Sequence, residues 1–273
     1  MWADCHGHFD RLDAGKVKEI VARAKQEEIE SIIIVSMDLE TSREAVHIAE
    51  AHDIVYAAVG IHPWNAAYTE IDEGIYQRLK TLASREKVVA IGETGLDFVG
   101  DAVHPERGAP DSCARELQKN AFIKQLGLAR ELGKPVIVHD RGATREMIDV
   151  LKEEKGVKAV LHDFIGDETM LQEAVGLGCY ISEGMNILIP QCLVDQRIDT
   201  GKFKEMVKKI PSDRLLLETD CAPGYPEAVE TFMPWDVKQV AEQIAQLRGT
   251  TAEELSMVVS NNLKRFLATT PTS

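Results

Sequence analysis

Positive charge is what this sequence most lacks. Lys and Arg number 31 against 45 Asp and Glu, a formal net charge of −14. Such a surface excludes loose coating of DNA or of an anionic membrane, because that attraction comes from Lys and Arg. It leaves open a nucleic-acid substrate met at a local cationic site. Cysteine is sparse and scattered: Cys5, Cys113, Cys179, Cys192 and Cys221, with no CxxC pair. An odd, dispersed set reads as reduced thiols rather than a disulfide framework. No apolar run approaches the roughly 20 residues of a membrane-spanning helix. The opening residues MWADCHGHFD carry no basic stretch of the kind that begins a secretory leader. These absences predict a soluble cytoplasmic protein with no membrane partner. No Gly/Ser-rich linker or low-complexity tract divides the chain, so residues 1–273 are expected to form one domain.

What is present is a repeated alternation. Hydrophobic residues make up 44% and charged residues 28%, which excludes a disordered chain. Short β-branched runs recur at Ile32-Ile33-Ile34-Val35, Ile54 to Val59, Val88 to Ile91, Pro135 to Val138, Ala159 to Leu161 and Leu215 to Leu217. Weaker runs end at His8 and cover Cys179 to Ile181. They are too short for helices and lack polar alternation, as parallel strands buried on both faces do. Between them lie amphipathic segments. These are Ala14 to Glu27, Leu39 to His52, Asp72 to Arg85, Cys113 to Leu132, Thr144 to Glu154, Glu168 to Leu177 and Lys202 to Lys209. Trp235 to Leu247 and Thr251 to Leu267 complete the set. Asp167 and Thr250 are the expected caps of two of these helices. Eight such units in a chain of this length predict an α/β fold, a single (β/α)8 TIM barrel. The alternative, an open doubly wound sheet, would more often carry a Gly-rich phosphate loop after its first strand, and His6-Gly7-His8 is no such loop.

The reactive side chains collect where these strands are expected to stop. His6 and His8 close the first, His62 the third, Glu93 the fourth, His139 and Arg141 the fifth, His162 the sixth, and Glu218 and Asp220 the eighth. In a (β/α)8 barrel the carboxyl ends of all strands meet on one face, so residues distant in sequence would share one pocket. His6 and His8 are spaced i, i+2, which points both imidazoles the same way on a strand. With His139, His162, Glu93 and Asp220 they make four imidazoles and two carboxylates. That exceeds the needs of one tetrahedral ion and suits two divalent cations sharing a ligand.

These residues sit in motifs that resemble the TatD family of metal-dependent hydrolases, within the amidohydrolase-like barrel superfamily. The matching segments are Asp4-Cys5-His6-Gly7-His8-Phe9-Asp10, Gly60-Ile61-His62-Pro63, Gly92-Glu93-Thr94-Gly95-Leu96-Asp97, Pro135 to Arg141, His162 to Gly166, Glu218 to Pro223 and Asn262 to Phe266. The resemblance implies that His6 and His8 bind a first metal, with Asp220 reaching it. It implies that Glu93 bridges both ions and that His139 and His162 bind the second. It also implies phosphodiester hydrolysis, typically of DNA. The chain departs from the family pattern in three places. The segment Phe98 to Ser112 is long and rich in Gly and Pro, Asp163 stands where a Cys is common, and the stretch after Asp220 lacks the usual Pro-rich run.

The chemistry expected of this set is hydrolysis near a DNA end through a metal-activated water. Asp220 is the candidate catalytic residue, taking the proton from the nucleophile and returning it to the leaving oxygen. Arg141 and His62 are candidate substrate contacts, the former through a bidentate grip on phosphate. Asp4 and Glu218 are expected to support the ligands from behind. Imidazole-rich ligation favours Zn, Mn, Fe, Co or Ni over Mg, although nucleases of this kind often use Mg. The alternative enzyme class is a binuclear hydrolase of a small-molecule amide, ester or lactone. His47 and His52 are expected on an outer helix and His104 in a loop.

Overall fold

The computed structural model describes residues 2–101, 104–188, 199–225 and 232–268. Eight parallel strands pair in sequence order: β1 (Trp2–Gly7), β2 (Ile29–Ile34), β3 (Val55–Val59), β4 (Val88–Asp97), β5 (Val136–Arg141), β6 (Ala159–Leu161), β7 (Tyr180–Glu183) and β8 (Leu215–Leu217). The ring closes through a bridge between Gly7 and Cys221 and through backbone bonds from Asp220 N–H to His6 O (3.0 Å) and His8 N–H to Cys221 O (2.7 Å). This is the expected (β/α)8 barrel. The helices are α1 (Ala14–Gln26), α2 (Leu39–Ala51), α3 (Pro63–Ala66), α4 (Glu73–Ala83), α5 (Ser112–Leu132), α6 (Thr144–Glu153), α7 (Glu168–Gly176), α8 (Thr200–Lys209), α9 (Val237–Arg248) and α10 (Ala252–Leu267).

Two apolar layers follow from the alternation of strand side chains. Inside the barrel lie Cys5, Ile33, Val35, Ala58, Ala90, Ile137, Val160, Tyr180 and Leu216. Leu263 and Phe266 of α10 pack into this group, with the Phe266 ring 5.4 Å from Tyr180. The outer layer, between strands and helices, takes the neighbouring residues such as Ile32, Ile34, Val59, Val138 and Leu161.

Asp167 accepts from Met170 N–H and caps α7 as expected. The cap of α10 is Thr251 rather than Thr250, because Thr251 and Glu254 exchange bonds in a capping box. Helix α3 is one turn long, too short to leave a periodic signal. Strand β4 runs to Asp97, well past the Val88–Ile91 run, so Glu93 lies within the strand and not at its end. The apolar signal stops at Ile91 because the next four residues, Gly92 to Gly95, are polar or Gly.

Helix α5 does more than cover the sheet. Gln125 accepts from Ile61 N–H (2.8 Å) and donates to Ile61 O (3.0 Å) and Thr94 Oγ1 (2.7 Å). Gln118 accepts from Asp97 N–H and donates to Asp97 O, both at 3.0 Å. Two buried amides thus satisfy backbone groups that β3 and β4 leave unpaired near their carboxyl ends.

Candidate metal centre

Simple alternation would send two of the expected ligands that lie within strands the wrong way. Cys5 and Ala90 face the barrel interior, so His6 and an odd-numbered Glu93 should face the helices. Register shifts at those points reverse them. The β1–β2 pairing slips between Asp4 and Gly7, and the β4–β5 pairing slips between Ile91 and Thr94. Irregularities of this kind bend a strand and re-aim a side chain. The bend in β4 also needs Gly95, at φ 138°, where a Cβ would stand 2.0 Å from His139 O.

The result is a cluster centred on Glu93, whose carboxylate is 2% exposed. Its Oε2 lies 3.3 Å from His6 Nε2 and 3.8 Å from His8 Nε2. Its Oε1 lies 2.8 Å from His139 Nδ1, 3.6 Å from His62 Nε2 and 3.8 Å from His162 Nε2. Asp220 Oδ1 completes the first half, 3.4 Å from His8 Nε2 and 3.6 Å from His6 Nε2. The rings crowd together: His6 stacks on His162 at 3.9 Å and His62 meets His139 at 4.4 Å.

These donors fit divalent cations. The set His6, His8 and Glu93 offers ligand atoms within 4.8 Å of one another, and so does the set His62, Glu93 and His139. Glu93 is common to both. Both ring nitrogens of His6 are buried without a hydrogen-bond partner, an arrangement that is costly unless something else engages them. A third set, His6, His162 and Glu218, shares His6 with the first.

Carboxylates hold the ligating rings from behind. Glu218 Oε1 lies 2.6 Å from His162 Nδ1, and its Oε2 accepts from Ser182 Oγ (2.5 Å). Asp97 Oδ2 lies 3.0 Å from His139 Nε2 and accepts from Trp64 Nε1 (2.7 Å). Each pair fixes the ring and leaves the other nitrogen facing the site. Asp4 bonds Thr219 through its backbone N–H (2.9 Å) and Oγ1 (2.6 Å) and His6 N–H (3.3 Å), so it ties β8 to β1 beneath His6.

Burial and opposite charges compete at each group of the cluster. Burial works against protonation of His139, but its bonds to Asp97 and Glu93 win and raise it to about 9. Burial likewise opposes charge on His162, and Glu218 overrides it. Burial, aided by the charge on His139, outweighs Glu93 and takes His62 down to about 4, leaving it neutral. Desolvation would raise Asp220, yet the His8 bond and nearby imidazoles bring it to about 2. Asp220 is the most accessible of the acidic groups here, its side chain 42% exposed. It sits at φ 50°, a left-handed conformation that non-glycine residues seldom adopt.

The remaining expected residues fall as follows. His62 caps α3, its Nδ1 accepting from Trp64 N–H (3.1 Å), which turns Nε2 toward Glu93. Arg141 pairs with Asp97 through Nε (3.1 Å), donates to Gly100 O and lies over the Trp64 ring at 5.5 Å. His47 and His104 are exposed and His52 is half-exposed. Cys5, Cys179 and Cys221 are buried and Cys113 is exposed; Cys192 lies outside the described residues. Sequence reasoning missed Asp97, Trp64 and the two glutamines of α5. Asp97 stands inside a quoted motif, but only the folded chain shows that it faces His139.

A family model described as TatD related DNase matches residues 3–268. The uncharacterized metal-dependent hydrolase YabD of Bacillus subtilis is 36% identical over 97% of this chain and 98% of its own. The 3'-5' ssDNA/RNA exonuclease TatD of Edwardsiella piscicida is 33% identical over 93% of this chain and 94% of its own. Among solved structures, the Escherichia coli TatD homologue YJJV superposes with a TM-score of 0.81 at 28% identity, covering 97% of each chain. With the motifs, the barrel and the Glu93-centred donors, these matches show that the chain belongs to the TatD-related DNase family of metal-dependent hydrolases.

Proposed function

We propose that this protein hydrolyses phosphodiester bonds of DNA near a strand end, with two divalent cations at the Glu93 cluster. The observation that carries the reading is the division of Glu93: one oxygen faces His6 and His8, the other faces His62, His139 and His162. A carboxylate so placed can serve two ions at once. His6, His8 and Asp220 would hold one ion, and His139 and His162 the other. His62 is neutral and directed at Glu93, so it is available to the second ion or to a substrate oxygen. Bound divalent cations supply a water activated near neutral pH and neutralise charge on the phosphoryl oxygens.

The chain's own groups do the rest. Asp220 is held ionised by its imidazole neighbours and is accessible, so its carboxylate would take the proton from the attacking water and later give it to the leaving oxygen. Arg141 is held by Asp97 and Gly100 and 23% exposed, which leaves part of its guanidinium to meet a phosphate at the mouth. Names among the relatives, an exonuclease and a human deoxyribonuclease, support a nucleic-acid substrate. The acidic surface supports local engagement of a few nucleotides rather than tight grip on long duplex.

The test is hydrolysis of 5'-labelled single-stranded DNA by protein loaded in turn with Zn, Mn, Mg, Fe, Co or Ni. Wild-type protein should shorten the strand and Asp220→Asn should do so at least a hundredfold more slowly. Equal rates in the two proteins would refute the nuclease reading and turn attention to small amides, esters and lactones.

A further inference from the structure

Arginine–aromatic pairs border the metal centre on both sides, and of their members only Arg141 enters the hydrolytic step proposed above. On the His8 side, the Arg11 guanidinium lies 3.8 Å over the Tyr225 ring, whose hydroxyl donates to Asp10 Oδ2 (2.8 Å). The Tyr225 ring is 6.1 Å from His8. On the opposite side Trp64 lies 4.7 Å from His62 and carries Arg141 at 5.5 Å. Farther along the same turn, four residues on from Trp64, Tyr68 is 57% exposed and carries Arg107 at 5.2 Å.

All six side chains come from the carboxyl ends of strands: Arg11 after β1, Trp64 and Tyr68 after β3, Arg107 after β4, Arg141 at the end of β5 and Tyr225 after β8. Arg107 belongs to the long Phe98 to Ser112 segment, and Tyr225 to the stretch after Asp220, two of the places where the sequence departs from its family's usual pattern. Carboxylates fix the arginines on the Trp64 side: Asp97 holds Arg141 at 3.1 Å and the buried Asp101 holds Arg107 at 2.9 Å. Tyr68 therefore presents an accessible ring beside a guanidinium that a buried carboxylate holds in place.

We propose that these pairs form a track that seats successive bases of a single-stranded nucleic acid across the metal centre, with Tyr68 and Arg107 as an outlying subsite. The inference rests on the nuclease reading of the same site. Ring faces and guanidinium planes are what unpaired bases stack on, and the guanidinium edges meet the intervening phosphates. Stacking needs unpaired bases, so the track favours single strands over duplex. It also confines binding to a few nucleotides at the mouth, as the acidic surface elsewhere demands.

The test compares an eight-nucleotide oligothymidylate with a small diester, the p-nitrophenyl ester of thymidine 5'-phosphate. The readout is the ratio of kcat/KM on the two substrates. Binding of a non-cleavable phosphorothioate octamer is followed in parallel by fluorescence anisotropy. Tyr68→Ala should lower the ratio and weaken octamer binding roughly tenfold, and Tyr68→Phe should restore both. Arg107→Gln should act in the same direction. If wild type cleaves the octamer and Tyr68→Ala leaves ratio and affinity unchanged, the track is wrong while the nuclease reading stands. If wild type cleaves neither substrate, the nuclease reading fails and the track falls with it.

Discussion

Asp97 Oδ2 stands 3.0 Å from His139 Nε2, while the opposite nitrogen of the same ring stands 2.8 Å from Glu93. The ring is therefore held between two carboxylates, one at the centre of the cluster and one behind it. The same Asp97 oxygen receives Trp64 Nε1 and pairs with Arg141, and its Oδ1 receives Val99 and Gly100 N–H at 2.9 Å each. One buried side chain links a proposed metal ligand to two groups of the mouth.

Asp97→Asn should weaken metal binding about 10–100-fold, the range seen when a ligand loses its supporting carboxylate. The change should fall on one of two binding steps in a calorimetric titration. Trp64 emission should shift in the same variant, because its indole N–H loses a charged acceptor. A variant that binds metal as wild type does would show that Asp97 does not orient His139.

Stability should respond to the cap of α10. Thr251 Oγ1 accepts from Glu254 N–H (3.2 Å) and Glu254 Oε2 accepts from Thr251 N–H (3.1 Å). Thr251→Ala should destabilise the protein by about 1 kcal/mol, a Tm loss of roughly 2 °C for a chain of this size. Thr250→Ala should have a smaller effect, since its hydroxyl serves only the Glu254 side chain.

Acid should erase one surface contribution. Arg145, at 2.8 Å, and Lys152, at 2.5 Å, hold the Glu173 carboxyl down to about 2 from an ordinary 4.5. A depressed folded pKa means the stabilisation is complete above pH 4.5 and is lost as pH falls toward 2. Chemical denaturation of wild type and Glu173→Gln should thus show a gap near pH 6 that narrows below pH 4.5. A gap that widens on acidification would contradict the sign.

Thiol reactivity should follow burial. Of the four described cysteines only Cys113 is exposed, and burial pushes the Cys179 thiol up to about 12. Brief alkylation of native protein at pH 7.5, read by peptide mass spectrometry, should label Cys113 and spare Cys5, Cys179 and Cys221. Equal labelling of Cys179 would mean that the β7 end of the barrel opens freely.

Much of this was legible in the sequence, and the failures have physical causes. The β-branched runs located six strands, and weaker runs the first and seventh, because parallel strands buried on both faces carry apolar residues continuously. They did not show where β4 ends, since Gly92 to Gly95 interrupt the apolar run with polar and glycine residues before Leu96 and Asp97. His6, His8, His139 and His162 were singled out by residue type and by position. How His6 and Glu93 come to face inward was not legible, because a register slip leaves no mark on composition. Asp97, Gln118 and Gln125 escaped notice for a related reason: a carboxylate or amide becomes a support only through the neighbour it meets.

The most direct test of the central claim is the number of cations that the Glu93 cluster binds. Chelator-stripped protein titrated with Mn(II), followed by elemental analysis after gel filtration, should take up two ions per chain, and Glu93→Gln should retain one at most. Saturation of the wild type at one ion or none, or two ions still held by Glu93→Gln, would contradict a centre built around Glu93.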